Sequence, residues 1–236
     1  MLDSPLSWVR NPQPDMTLNN LHTSGELAQL LPEVERLYGV PQNSAHHPEV
    51  CTGRHIELCL QRAAQLNLGE SARIAVLLHD LGKGLTPPEE WPRHLSHEST
   101  GVPEVQRVAT RLGLDSYTQE LALSVCQWHL HAHRMLVMTS SHVLRFFEGA
   151  GLLRSKQFRD DFIGACFADA TGRLGLFDKP YPQAGLMADI GEGLAELPTS
   201  EAPIGTRDWQ FRHNQRLRVV RAARSTGFLE GNSPSC

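Results

Sequence analysis

Residues 71–84 read SARIAVLLHDLGKG, and this stretch decides the fold. Ala72, Ile74, Ala75, Val76, Leu77, Leu78 and Leu81 make it apolar almost all round, as in a helix at the centre of a bundle. A short apolar run alone does not separate helix from buried strand; its length and its helical neighbours favour helix. Gly82 and Gly84 are expected to end it. His79 and Asp80 then stand at the end of a buried helix, where an imidazole and a carboxylate are costly without a partner.

The pattern continues on both sides. Ile56, Cys59, Leu60, Ala63 and Leu66 recur at intervals of three and four, predicting a helix from residue 54 that breaks at Asn67 to Gly69. Pro87, Pro88, Trp91 and Pro92 predict a loop over 85–100. Val102 to Leu112, Tyr117 to Trp128, Thr139 to Phe147 and Ser155 to Thr171 read as four more helices. After a turn-rich stretch, 183–196 and 208–225 read as helical again. No alternating strand pattern competes, so the expected class is all-α. Pro5, Pro12 and Pro14 mark residues 1–20 as a loosely structured leader; 21–225 is expected to form the helical domain and 226–236 a flexible tail.

With 236 residues, 40% hydrophobic and 20% charged, the chain has ample material for a folded core. A net charge of −4 gives no global basic field for nucleic acid or membrane, so any RNA contact must come from a local patch. Arg207, Arg212, Arg216, Arg218, Arg221 and Arg224 make one such stretch, which a solvated amphipathic helix explains equally well. The five cysteines are odd in number and lack CxxC pairs, which predicts reduced thiols. There is no run of roughly eighteen apolar residues and no signal-peptide core. A cytoplasmic protein without a membrane partner is expected.

The polar residues on core faces point to a metal. His55 lies fourteen residues before Gly69 and His79 ten after, which sets them about 6 Å apart along an antiparallel helix pair. Asp169 shares an inward face with Phe162, Ala165 and Cys166. Taken singly, His55 could be a satisfied core histidine, Asp80 a cap for the turn at Gly82, and Asp169 a surface partner of Arg173. Jointly, His55, His79, Asp80 and Asp169 form a mixed nitrogen and oxygen site. Such a site suits Mn²⁺, Fe²⁺, Co²⁺, Ni²⁺ or Zn²⁺, and Mg²⁺ less naturally. The chemistry expected of it is hydrolysis.

Other residues enlarge the site. His94 and His97 follow in the loop, and His129 and His133 are one turn apart if their helix continues. They are expected to bind a second metal, contact phosphate or protonate a leaving group. Lys83 is expected to hold phosphate as a point charge. His22, His46, His131, His142 and His213 have no comparable argument and read as incidental.

The segments LLPEVERLYGVPQ (31–43), HHPEVCTGRH (46–55), LLHDLGKGLTPPEEWPRH (77–94), WHLHAHR (128–134) and ADATGR (168–173) carry a resemblance. The H…HD…D spacing resembles the HD superfamily of metal-dependent phosphohydrolases. The longer match resembles the C-terminal HD region of bacterial multifunctional CCA-adding enzymes, over roughly residues 22–225. The resemblance implies an all-α HD-domain helical bundle. It also implies 2′,3′-cyclic phosphodiesterase, 2′-nucleotidase and phosphatase activities on nucleotide or RNA-end phosphates, and a part in holding tRNA. By position it makes His55, His79, Asp80 and Asp169 metal ligands and His129 a phosphohydrolase histidine.

Asp80, His97 and His129 are thus the expected catalytic residues, and Lys83, His94, His133 and Arg173 the expected substrate contacts. The sequence departs from that family in two ways. It shows no GGxVRD-like or DxD segment of a nucleotidyltransferase half, so adding C, C and A is not expected of it. Phe167 and Thr171 replace the Glu and Arg of the family's Glu-Ala-Asp-x-Arg-Gly-Arg segment. The alternative expectation is a non-catalytic tRNA-binding body, or the partner of a separate nucleotidyltransferase chain.

Overall fold

Helices α1 (Pro14–Ser24), α2 (Leu27–Leu30), α3 (Pro32–Glu35), α4 (Thr52–Gln65), α5 (Glu70–Leu78) and α6 (His97–Leu112) make up the first half of the chain. They are followed by α7 (Ser116–Arg134), α8 (Ser140–Gly149), α9 (Lys156–Thr171), α10 (Pro182–Ala195) and α11 (Arg207–Glu230). The computed structural model describes residues 5–198 and 204–230. Among these the extended chain pairs only at an isolated bridge between Pro41 and Cys51. The class is all-α, as expected.

The apolar stretch is the central helix. α5 packs against α4, α7 and α9, and its residues from Ala72 to Leu78 are all buried. Asn67 takes a left-handed φ of 54° at the predicted break, which turns the chain from α4 into α5. Side-chain caps start the helices that flank the centre. Asp115 accepts from the Thr118 N–H at 3.1 Å for α7, and Ser155 from the Phe158 N–H at 3.1 Å for α9.

Several boundaries differ from expectation. Residues 1–20 do not form a loose leader across the described part. A 3₁₀ turn covers Ser7–Arg10, α1 begins at Pro14, and Leu6, Val9 and Leu18 are fully buried. Pro14 starts a helix instead of breaking one, because the first turn needs no proline N–H. Arg73 of α5 fixes the segment by donating to the Val9 and Asn11 carbonyls at 2.9 and 3.1 Å.

α5 ends at Leu78, four residues before Gly82. A side chain at Gly82 would put its Cβ 2.0 Å from the His97 carbonyl oxygen. That glycine serves close packing of α6 on the turn after the HD pair. α6 starts at His97, inside the expected loop, and α7 runs on to Arg134. The HLHAHR end of α7 shows no apolar stripe because His129 shares its inward face with Ala132. Helix α11 extends to Glu230; residues 231–236 of the expected tail lie outside the described residues.

Candidate metal centre

Five elements deliver six donor groups to one buried point. α4 brings His55, the end of α5 brings His79 and Asp80, and α9 brings Asp169. α6 and α7 add His97 and His129. The closest approaches are His55 Nε2 to Asp169 Oδ1 at 3.1 Å, His79 Nε2 to Asp80 Oδ2 at 3.2 Å, and His97 Nε2 to Asp80 Oδ1 at 3.2 Å. His129 Nε2 lies 3.8 Å from Asp80 Oδ1 and 3.4 Å from His97 Nε2. His55, His79 and Asp169 form one group with metal-ligand spacing, and His79, Asp80 and His129 another, with His79 common to both. The donor set therefore has room for one ion or two.

The outer nitrogens fix which way the lone pairs face. Nδ1–H of His79 donates to Val76 O at 2.8 Å, that of His97 to His94 O at 2.8 Å, and that of His129 to Val125 O and Cys126 O, both at 3.0 Å. His55 donates its Nδ1–H to Glu49 Oε1 at 3.1 Å. Each Nε2 of a neutral ring thus offers a lone pair to the interior, the arrangement that second-shell partners impose on metal-binding histidines. The opposing groups are carboxylates, so lone pairs meet lone pairs. His79 Nε2 and both Asp80 oxygens are buried without a hydrogen bond. Lys83 Nζ, 2.6 Å from Asp80 Oδ2, is an ion-pair partner only. A divalent cation fits this deficit in both charge and donor type.

The electrostatics agree. Burial alone would raise the Asp80 carboxyl, but His79 and Lys83 outweigh it and hold it well below the usual range. Asp169 is likewise held down against burial by His133 and His79. Burial pulls His79 downward, yet Asp80 and Asp169 lift it to about 8. Burial and the neighbouring His79 keep His129 well below the usual imidazole value, so it remains a neutral donor.

The expected metal ligands are brought together, and His97 and His129 join them. Three expected substrate contacts are differently engaged. Lys83 is buried and held between Asp80 and the Gln42 side chain, so its charge serves the centre. His133 accepts from the Tyr181 hydroxyl at 2.9 Å and donates to Asp169 Oδ2 at 2.6 Å, which commits both nitrogens. His94 is buried and donates to Pro41 O at 2.7 Å. Arg173 pairs with Asp169 Oδ1 at 3.3 Å and also donates to its carbonyl, so the pair is real but buried, not a surface one.

Arg173 still lines a cleft of about 500 Å³, together with His47, His133, Lys179 and Tyr181. His47, Glu49 and Tyr181 had no role in the sequence reading. Glu49 lies 3.1 Å from both His47 Nδ1 and His55 Nδ1. Burial pushes the Glu49 carboxyl up, but those two hydrogen bonds outweigh it and hold it low. The HHPE run was the available signal for this group.

The α11 arginines are partly occupied. Arg212 pairs with Asp208, Arg216 with Glu148, and Arg224 donates to the Met138 and Leu136 carbonyls. The described cysteines 51, 59, 126 and 166 are free thiols, and no helix among the described residues is long and apolar enough to cross a membrane.

Residues 52–171 match the family described as the HD domain. Over 225 residues the chain is 46% identical to a protein named "Multifunctional CCA protein" from Pseudomonas fluorescens, covering 94% of this chain and 54% of that one. A protein of the same name from Pseudomonas aeruginosa is 43% identical over 83% of this chain and 47% of its own length. One from Alkalilimnicola ehrlichii is 48% identical over 70% and 40%. The chain spans about half the length of the relatives it matches.

Proposed function

Since the chain belongs to the HD-domain family of metal-dependent phosphohydrolases, we propose that it hydrolyses nucleotide or RNA-end phosphate esters. The substrates would be 2′,3′-cyclic phosphates, 2′-nucleotides or simple monoesters, in tRNA 3′-end processing or repair. The observation that supports this reading is the convergence of four imidazole Nε2 atoms on two buried carboxylates, of which Asp80 accepts no hydrogen bond at either oxygen. The similarity to the "Multifunctional CCA protein" relatives supports a nucleotide or tRNA-end substrate.

His55, His79, Asp80 and Asp169 would hold the ion. A divalent cation there supplies a more acidic bound water and polarises a phosphoryl oxygen. Arg173 and Lys179, on the cleft wall, would bind the remaining phosphoryl oxygens. His97 and His129 share a contact at Nε2 beside Asp80 Oδ1. As general acid, His97 would supply a proton to the departing ribose oxygen, whose bond to phosphorus is the one that must open in a cyclic phosphate.

The test is hydrolysis of 2′,3′-cyclic AMP and an aryl phosphate by metal-stripped protein, with Ni²⁺, Mn²⁺, Co²⁺ or Mg²⁺ added back. Turnover should return with at least one metal and fall by more than about a hundredfold in His79→Ala, a larger loss than an outer-shell change produces. Folded protein that takes up metal but turns over neither ester would overturn the proposal.

A further inference from the structure

A second cavity, of about 480 Å³, opens between α7 and α8. Trp128, His131 and Phe146 wall it. The Trp128 and His131 rings meet edge-on at 4.8 Å, and His131 lies nearly parallel to Phe146 at 6.2 Å. Arg134, His142 and Arg145 line it as exposed residues, with no ion pair among the described residues. Glu98 lies deeper. Its Oε2 is buried without a hydrogen bond, and His131 Nδ1 is in the same condition. The nearest basic atom to Glu98 Oε2, His97 Nδ1 at 3.7 Å, already donates to His94 O.

These features together restrict the ligand. Aromatic walls favour a flat ring. The unpartnered carboxylate oxygen requires an N–H donor, which excludes a simple anion. The guanidinium groups of Arg134 and Arg145 require negative charge, which excludes a simple organic cation. A nucleobase with an exocyclic amino group, joined through its sugar to a phosphate, meets all three conditions.

Leu130 and Arg134 line both this cavity and the cleft at the metal centre, so the two are neighbours across one ridge of α7. We propose that the α7–α8 cavity is a nucleobase subsite, which takes an amino-bearing base and sets its phosphate against Arg134. What then happens to a phosphate ester rests on the hydrolytic reading above; the binding itself does not.

Calorimetric titration in excess chelator tests the subsite without any metal chemistry. The ligands are adenosine, cytidine and uridine 5′-monophosphates and ribose 5-phosphate. The adenine and cytosine nucleotides should bind roughly tenfold or more tightly than the uridine one, the size of one hydrogen bond to a charged acceptor. Uracil sets carbonyls on both sides of its N–H and has no amine to offer. Ribose 5-phosphate should bind weakest. Glu98→Leu, which removes the acceptor, should erase the preference over uridine, and Arg145→Ala, an exposed change, should weaken all three nucleotides several-fold.

Equal binding of nucleotides and ribose 5-phosphate, or a base preference that survives Glu98→Leu, would overturn the subsite. A short oligoribonucleotide ending in adenosine that binds more tightly than the mononucleotide identifies an RNA end as the source of the base. Binding no tighter than the mononucleotide identifies a free nucleotide. Base-selective binding without metal-dependent turnover would sink the hydrolase reading and leave the subsite standing. Turnover without base selectivity would do the reverse.

Discussion

Glu49 governs how His55 meets the centre. Its Oε1 lies 3.1 Å from the Nδ1 atoms of His55 and His47, so one carboxylate fixes the tautomer of an expected metal ligand from outside. Glu49→Gln keeps the shape but removes the charge and offers one good acceptor where two donors compete. Metal affinity by calorimetry should fall about 10- to 100-fold with the circular dichroism spectrum unchanged; equal affinity would remove Glu49 from the site. At this scale the sequence is legible where a polar residue breaks an apolar stripe, as His55, His79 and Asp169 do. Glu49, His47 and Tyr181 sit outside any helical stripe of their own, and no periodicity marks them. The sequence marks His94, His133 and Lys83 as expected substrate contacts. Their partners depend on tertiary contacts to Pro41, Tyr181 and Gln42 that spacing along the chain cannot specify.

Helix α6 presents His97 to the centre only because its first turn lies against the backbone after the HD pair. At Gly82 an added Cβ would fall 2.0 Å from His97 O and 2.8 Å from Gly101 N, backbone atoms with no side-chain freedom to yield. Gly82→Ala should therefore cost about 3 kcal/mol, the upper end for overpacking. That lowers Tm by about 6–12 °C in a chain of this length, and it should also weaken metal binding. Gly84→Ala, whose Cβ would meet the Leu37 side chain at 3.2 Å, should shift Tm far less. Equal melting of the two variants would show that α6 is not seated as described. The helices themselves were legible because Leu, Ile, Val and Ala recur at helical spacing. The ends of α6 and α7 were not, since there the inward positions are taken by His97 and His129, which read as polar.

Across the whole molecule the centre ties stability to pH. His79 is lifted from 6.5 to about 8 by Asp80 and Asp169 against the opposing effect of burial, so in metal-free protein a proton stands where the ion would. Because the folded value is raised, this stabilisation is complete below pH 6.5 and is lost as pH rises through 8. Its size is about 2 kcal/mol. The Tm of metal-free protein should drop by about 4–8 °C across that window. Metal-loaded protein should not show the drop, and its uptake of the ion should release a proton. A metal-free Tm that rises over the same window would contradict the arrangement. The segment matching the HD family, 52–171, holds every expected metal ligand, but Glu49, Gln42 and Tyr181 reach the centre from outside it.

Arg73 reaches the N-terminal segment through the carbonyls of Val9 and Asn11, atoms that every amino acid supplies. The segment is therefore recognised by its path and not by its spelling. Ser7 and Gln13 can therefore be exchanged at little cost, whereas Arg73, Leu6, Val9 and Leu18 hold the segment in place.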